Sequence, residues 1–202
     1  MRRFVLDTNL FFNMEQGLGM GRKTQEVLEH TSKGLTKLKN SIEVYMPPRI
    51  VEELTSFFDE STPTYVSDFL SCVTIKSPDL AKISFPVSVF YQLISDIRTR
   101  SYRGLTIAEE EAKKAAQLSI TSQSGKDFEM AVGPIVKTLR DRYRTATRTG
   151  FLDSVADLDL IVLARELEAE LVSADAGVIH WGRVFGVKEC APLALGKLLV
   201  KS

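Results

Sequence analysis

The sequence is poor in the residues that most often build zinc, redox or disulfide chemistry. It has two cysteines and two histidines in 202 residues, and neither pair shows CxxC or metal-ligand spacing. Cys72 and Cys190 are therefore predicted to be small core residues, not a disulfide or part of a metal site. His30 and His180 indicate no zinc site either, and His180 beside Trp181 is more typical of packing than of catalysis.

Long apolar runs are also missing, and none approaches the roughly 20 residues of a membrane-spanning helix. Arg2 and Arg3 are followed only by a short apolar strand, so we expect no signal peptide and a cytoplasmic protein. The 26 basic and 26 acidic residues cancel, so the net charge alone indicates no polyanionic partner. No GxSxG, Walker A or kinase signature occurs, and Gly17, Gly19 and Gly21 do not form a dinucleotide fingerprint.

Both ends of the chain show short apolar strands that alternate with helices. The pattern predicts strands at 3–7, 43–46, 72–76, 170–173 and 186–189. It predicts helices at 23–38, 48–58, 63–70, 156–168, 178–181 and 193–200, with Gly34 interrupting or ending the first of them. This alternation is typical of an α/β fold with a parallel sheet, in which ligands bind beyond the carboxyl ends of the strands.

The middle of the chain differs, because residues 87–148 contain no strand signal. Helices are predicted around 89–97, from 107 to 120 after a break at Gly104, and over 128–148, with a turn at 122–125. We therefore divide the chain into an α/β domain, 1–84 and 149–202, and a helical insertion, 85–148. The insertion carries two arginine-rich groups, which are either solvated helix faces or phosphate-binding residues, and their composition favours phosphate contacts. They are Arg98, Arg100 and Arg103, then Lys137, Arg140, Arg142, Arg144 and Arg148.

Five aspartates carry the candidate chemistry. Asp7 and Asp175 end strands that are distant in sequence, and a parallel sheet would bring them together. Asp153, Asp157 and Asp159 lie at the start of the helix between them. Carboxylates in one pocket repel each other unless a cation compensates them, and hard oxygen ligands suit Mg²⁺ or Mn²⁺. Such a pocket can support metal-assisted phosphodiester hydrolysis.

The spacing leaves open which aspartates would contact the metal. Asp153 and Asp157 share a helix face and could both contact the metal, and Asp159 would then lie farther from it. Alternatively, Asp159 is the inner ligand and Asp157 is a first-turn residue. The cluster could also be only an acidic helix N-terminus favoured by the helix dipole. Glu53 lies on the apolar face of its helix, either as a further ligand or as a residue at the edge of that face.

Several segments resemble a known nuclease family. VLDTN at 5–9, PPRIVEEL at 47–54 and DLDLIVLARELEAELVSAD at 157–175 resemble PIN domains, which are metallonucleases with an α/β/α sandwich fold. The segments at 6–13, 85–110 and 139–181 resemble the HARP family of small protein-only ribonucleases P, whose archaeal members were formerly labelled RNA-ligase partner proteins. This resemblance covers nearly the whole chain, including the insertion that general PIN domains lack.

The resemblance implies an endoribonuclease that removes the 5′ leader of precursor tRNA with Mg²⁺ or Mn²⁺. It implies that the basic residues of the last insertion helix contact tRNA. It also implies that the insertion pairs subunits into large ring- or star-shaped homo-oligomers such as a dodecamer. Glu53 corresponds to the usual PIN glutamate, and the family's acidic positions correspond to Asp7, Asp153, Asp157, Asp159 and Asp175.

Two other functions compete with this one. A toxin-type PIN ribonuclease would cleave mRNA or mature tRNA and would have an antitoxin partner, but such domains are compact and lack a long insertion. A non-catalytic RNA-processing partner would gain nothing from a focus of negative charge, because RNA is itself a polyanion.

Overall fold

A computed structural model describes residues 1–58, 62–118, 125–152 and 154–201. Three of the sequence predictions fall wholly or partly outside these ranges. They are the turn at 122–125, the end of the insertion helix at 119–120, and the position of Asp153.

One parallel sheet of five strands organises the α/β part of the chain. Its spatial order is β3-β2-β1-β4-β5, and every neighbouring pair is parallel. The strands are β1 Arg2–Leu6, β2 Ile42–Met46, β3 Thr74–Ile75, β4 Glu170–Val172 and β5 Lys188–Glu189. The apolar half of the central strand β1 is fully buried, as expected of a strand covered on both faces. The predicted α/β fold with a central parallel sheet is confirmed.

Helices connect the strands and supply most of the core. They are α1 Asn9–Phe12, α2 Thr24–Leu38, α3 Pro48–Ser56, α4 Thr64–Ser71, α5 Ser88–Ala116, α6 Gly125–Arg148, α7 Val155–Glu166, α8 Ala176–Val184 and α9 Pro192–Val200. Prolines at the first position of α3 and α9 suit helix starts, since the missing N–H has no partner there anyway. The short helix α1 lies outside the helices that the sequence predicted.

Two predicted helix breaks, at Gly34 and Gly104, are wrong. Helix α2 continues through Gly34 to Leu38, and α5 is one helix of 29 residues that passes through Gly104. Each glycine marks a close approach between helices. A Cβ at Gly34 would lie 2.9 Å from the backbone oxygen of Leu199, and one at Gly104 would lie 2.6 Å from the Tyr143 ring. These glycines therefore allow close packing between helices and do not end them.

The chain forms two compact units. The first contains Met1–Pro86 and Leu152–Ser202, and the second contains Val87–Phe151. In the second unit α5 and α6 pack against each other along much of their length. Over the described part of the chain, we find no helix with both the length and the apolar character needed to cross a membrane.

Candidate active site

Asp7 and Asp175 follow the neighbouring strands β1 and β4 at the carboxyl edge of the sheet. Leu6 is paired with Val172 in the sheet, and the Asp7 N–H donates to the Val172 carbonyl at 3.1 Å. Parallel pairing therefore brings together two segments that are 168 residues apart, as the sequence predicted from its strand ends.

A serine hydroxyl links these two strand ends. Ser173 Oγ donates to Asp7 Oδ2 at 2.5 Å and accepts from Asn9 Nδ2 at 3.2 Å and from the Asp175 N–H at 2.9 Å. Asn9 Oδ1 also accepts from the Ala174 N–H at 3.0 Å. A hydroxyl has one proton and two acceptor sites, so these bonds use the full capacity of Ser173.

Neither Ser173 nor Asn9 was among the site residues predicted from the sequence. The available signal was that polar residues follow both VLD and LVS, at the ends of two strands that pair side by side. A residue pair that bridges adjacent strand ends becomes visible only after the strand order is known.

Asp7 lies in an environment that opposes its negative charge. Burial raises the pKa of Asp7 from 3.8 to about 6, against the lowering effect of the Ser173 hydroxyl and the Asn9 N–H. The carboxylates of Asp157 and Glu53 raise it further by like-charge repulsion. Asp157 belongs to α7 and Glu53 to α3, so charges on two different helices contribute to this shift.

The N-terminal turn of α7 separates its aspartates into two environments. Ser154 caps the helix, and its Oγ accepts from the Asp157 N–H at 3.0 Å. Asp159 is buried, and its Oδ2 accepts from Arg49 Nη1 at 2.5 Å. Asp153 lies outside the described residues.

Asp175 has a structural role in addition to its place at the sheet edge. It is the N-cap of α8, and its Oδ1 accepts from the N–H groups of Gly177 at 2.7 Å and Val178 at 2.9 Å. Asparagine is about as good an N-cap as aspartate. The charge of Asp175 can therefore be removed by substitution without removing the cap.

The oxygen donors at this edge fit a hard divalent cation. A dication would offset the burial and the like-charge repulsion that raise the Asp7 pKa, and Mg²⁺ commonly uses only one or two carboxylates together with water and substrate oxygens. The described side chains, which do not include Asp153, contain no group of three or more His, Cys, Asp or Glu arranged to hold a metal ion. Glu53 is solvent-exposed and not embedded in its helix's apolar face.

The basic residues of α6 fall into two groups, one that contacts α5 and one that is exposed. Arg142 is half-buried and binds two carboxylates of α5, with Nη2 at 2.7 Å from Glu110 Oε2 and Nη1 at 2.6 Å from Glu111 Oε1. The others are exposed and recur every three or four residues, which places them on one face of the helix. This basic face of α6 consists of Lys137, Arg140, Arg144 and Arg148.

Comparisons with known proteins agree with this architecture. The sequence matches the PINc domain ribonuclease family over residues 3–201. It is 35% identical over 188 residues to the RNA-free ribonuclease P of Pyrococcus furiosus, covering 93% of this chain and 87% of that protein. It is 35% identical over 191 residues to the RNA-free ribonuclease P of Thermodesulfovibrio yellowstonii, covering 95% and 90%. The protein of the same name from Halorhodospira halophila is 36% identical over 192 residues, covering 95% and 86%. This chain therefore belongs to the PINc domain ribonucleases and, among them, to the family of the RNA-free ribonucleases P.

Proposed function

We propose that this protein is an RNA-free ribonuclease P that removes the 5′ leader of precursor tRNA and leaves a 5′-phosphate on the tRNA. The geometry that carries the proposal is the buried Asp7 carboxylate at the sheet edge, hydrogen-bonded to Ser173 at the end of the neighbouring strand, two residues before Asp175. The substrate is inferred from relatives of the same name, which align with more than nine-tenths of the chain.

The acidic site would be the place of phosphodiester hydrolysis. We assign Asp7, Asp157 and Asp175, together with Asp153, to hold Mg²⁺ or Mn²⁺, with Glu53 as a weaker candidate. A bound divalent ion would lower the pKa of an attacking water and stabilise charge on the phosphate oxygens. At neutral pH Asp7 is mainly ionised, since its pKa is about 6. Its carboxylate is oriented by the Ser173 hydroxyl.

Substrate binding would rest on charge and shape. Structured RNA is recognised largely through its backbone, and the basic face of α6 offers four cations in a row for phosphate contacts. Arg142 belongs to a different class, because its two ion pairs hold it against α5. We therefore assign Arg142 to the stability of the helical unit.

We also propose a homo-oligomer of the ring or star type, such as a dodecamer, in the cytoplasm. Helix α5 exposes large apolar side chains, which mark a protein contact surface when they occur together. They include Tyr91, Ile94, Ile97, Tyr102 and Leu105. Such an assembly would hold the basic face of one copy at a measured distance from the acidic site of another and so act as a ruler along the tRNA.

Cleavage of 5′-labelled precursor tRNA in Mg²⁺ tests the activity. The wild type should make a single cut at the leader junction and leave mature tRNA and mRNA intact. Asp7→Asn and Asp175→Asn should each abolish this cut, and Asp175→Asn should do so without a change in thermal stability, because the cap is kept. Asp68→Asn, an exposed aspartate on α4, is the matched control and should cleave normally.

Two results would contradict the proposal. One is the absence of a cut at the junction by the wild type, and the other is an undiminished cut by the Asp7→Asn variant. Cleavage of mature tRNA or mRNA in place of the leader would favour the toxin-type ribonuclease.

A further inference from the structure

The first turn of α3 places a cation close to the acidic site. Helix α3 begins directly after β2, which lies beside β1 and ends at the same edge of the sheet as Asp7. Arg49 and Glu53 are four residues apart on α3 and therefore share a helix face. Arg49 contacts Asp159 of α7, two residues after Asp157, so this face of α3 lies against the helix that carries these aspartates.

Arg49 is held by a carboxylate that is otherwise in an unfavourable position. Asp159 is only 9% exposed, and its Oδ2 accepts from Arg49 Nη1 at 2.5 Å. A buried carboxylate is costly without a partner, so this ion pair satisfies Asp159. The Arg49 side chain itself is 56% exposed. A guanidinium has five N–H donors, and the contact with Asp159 uses one nitrogen, which leaves further donors on a side chain that is more than half exposed.

The exposed guanidinium of Arg49 suits a phosphate ligand, whereas its positive charge would repel a metal ion. A strand of RNA that enters a site rich in aspartate and glutamate meets repulsion, which a fixed arginine beside the site would reduce. Arginine is also the side chain whose planar fork matches two phosphate oxygens at once. An arginine that already forms one ion pair loses less side-chain entropy on binding.

We propose that Arg49 binds a phosphate of the RNA strand at the acidic site and that Asp159 is a positioning residue that aims Arg49, not a metal ligand. This inference rests on the proposed ribonuclease function. The two α7 aspartates then have different roles, because Asp157 acts on Asp7 and Asp159 acts through Arg49. The competing explanation is that Arg49 only neutralises Asp159 and never contacts RNA.

Four variants of the full chain separate these explanations. Arg49→Gln removes the cation, Arg49→Lys keeps the charge without the fork, and Asp159→Asn removes the charge that holds Arg49. The control is Arg3→Gln, which also breaks an exposed ion pair, that of Arg3 Nε with Glu43 Oε2 at 2.9 Å. Arg3 lies near the amino end of β1, at the opposite edge of the sheet from Asp7.

Binding to precursor tRNA is measured in EDTA over a range of salt concentrations, so that neither metal nor turnover contributes. Arg49→Gln should weaken binding about tenfold, as expected for loss of one charged hydrogen bond. It should also reduce the slope of log affinity against log salt by about one. Arg49→Lys should be intermediate, and Arg3→Gln should bind like the wild type.

Cleavage kinetics in Mg²⁺ then test Asp159. A positioning role predicts that Asp159→Asn raises KM and leaves the Mg²⁺ concentration for half-maximal rate unchanged. A rise in that Mg²⁺ concentration would show that Asp159 is a metal ligand and would overturn its assignment.

Equal binding by Arg49→Gln and Arg3→Gln would overturn the phosphate contact. These outcomes differ from failure of the proposed function, in which the wild type would bind precursor tRNA without cutting it at the junction.

Discussion

Asp7 combines a buried position with a charge that its hydrogen bonds compensate only in part. Its pKa is raised from 3.8 to about 6 in the folded protein, so the ionised carboxylate disfavours folding at neutral pH. This destabilisation of the folded protein amounts to about 3 kcal/mol at most. It is lost as the pH falls from above 6 to below 4, where Asp7 is protonated in both the folded and the unfolded protein. The catalytic role that we propose for Asp7 would therefore be kept at a cost in stability.

We expect Asp7→Asn to abolish cleavage and to raise the free energy of unfolding in EDTA at about pH 7.5, by about 1–3 kcal/mol. The gain should shrink when the pH is lowered to about 4.5, because Asp7 of the folded wild type is then mostly protonated and no longer buries a charge. Urea unfolding at both pH values measures the difference. A variant that is less stable than the wild type at the higher pH, or a gain that does not change with pH, would contradict this explanation.

At the same scale, the sequence identified charged residues better than their partners. Asp7 and Asp175 could be placed because a strand ending in aspartate is visible in the sequence and parallel sheets align such ends. Ser173 and Arg49 could not, because an ordinary serine or arginine becomes informative only through its partner, which is over 100 residues away in each case. The contact between Asp159 and Arg49 likewise depends on which side of α7 faces α3, and the sequence does not show that side.

At the scale of elements, we propose different roles for the exposed basic face of α6 and for Arg142, which is paired with α5. Arg140→Gln and Arg144→Gln, together on the exposed basic face, should weaken precursor tRNA binding and reduce its salt dependence by about two slope units, with little effect on unfolding. Arg142→Gln should instead lower the melting temperature, because it leaves the buried Glu111 with one fewer cation.

The stabilising effect of the pair between Arg142 of α6 and Glu111 of α5 should depend on pH in a known direction. Hydrogen bonds from Lys114 and Arg142 lower the pKa of Glu111. The stability that Arg142 contributes is therefore present at neutral pH and is lost as the pH falls below the usual range of a glutamate. Thermal unfolding and RNA binding are measured for Arg142→Gln and for the variant that combines Arg140→Gln with Arg144→Gln. If Arg142→Gln weakened RNA binding without lowering the melting temperature, the division of α6 into two faces would be wrong.

The elements themselves were predicted well where apolar periodicity was strong and poorly where glycine interrupted it. Strands β1, β2 and β4 and helices α3, α7 and α9 lie within a few residues of their predicted positions. The break expected at Gly104 failed for a tertiary reason. Glycine costs helix stability locally, but here it lets Tyr143 of α6 approach the α5 backbone. A helix propensity cannot reveal a partner helix that comes 39 residues later.

At the scale of the whole molecule, the proposed oligomer connects binding to cleavage accuracy. Ile94 is 59% exposed on α5, between Tyr91 and Arg98 on the same helix face. If this face joins copies, Ile94→Glu buries a charge at the contact and should dissociate the assembly, as measured by size-exclusion chromatography with light scattering. Leu80→Glu is the matched control, since Leu80 is also exposed but lies in the α/β unit; it should leave the assembly intact.

Dissociation should then reduce the accuracy of the cut more than it reduces the chemistry. A single copy would retain its acidic site but lose the fixed spacing between that site and the basic face of another copy. Sequencing of the 5′ ends produced by Ile94→Glu should therefore show cuts on either side of the leader junction. The Leu80→Glu control should give one 5′ end. A monomeric Ile94→Glu variant that cleaves at the junction alone, at the wild-type rate, would show that one copy measures the tRNA without help.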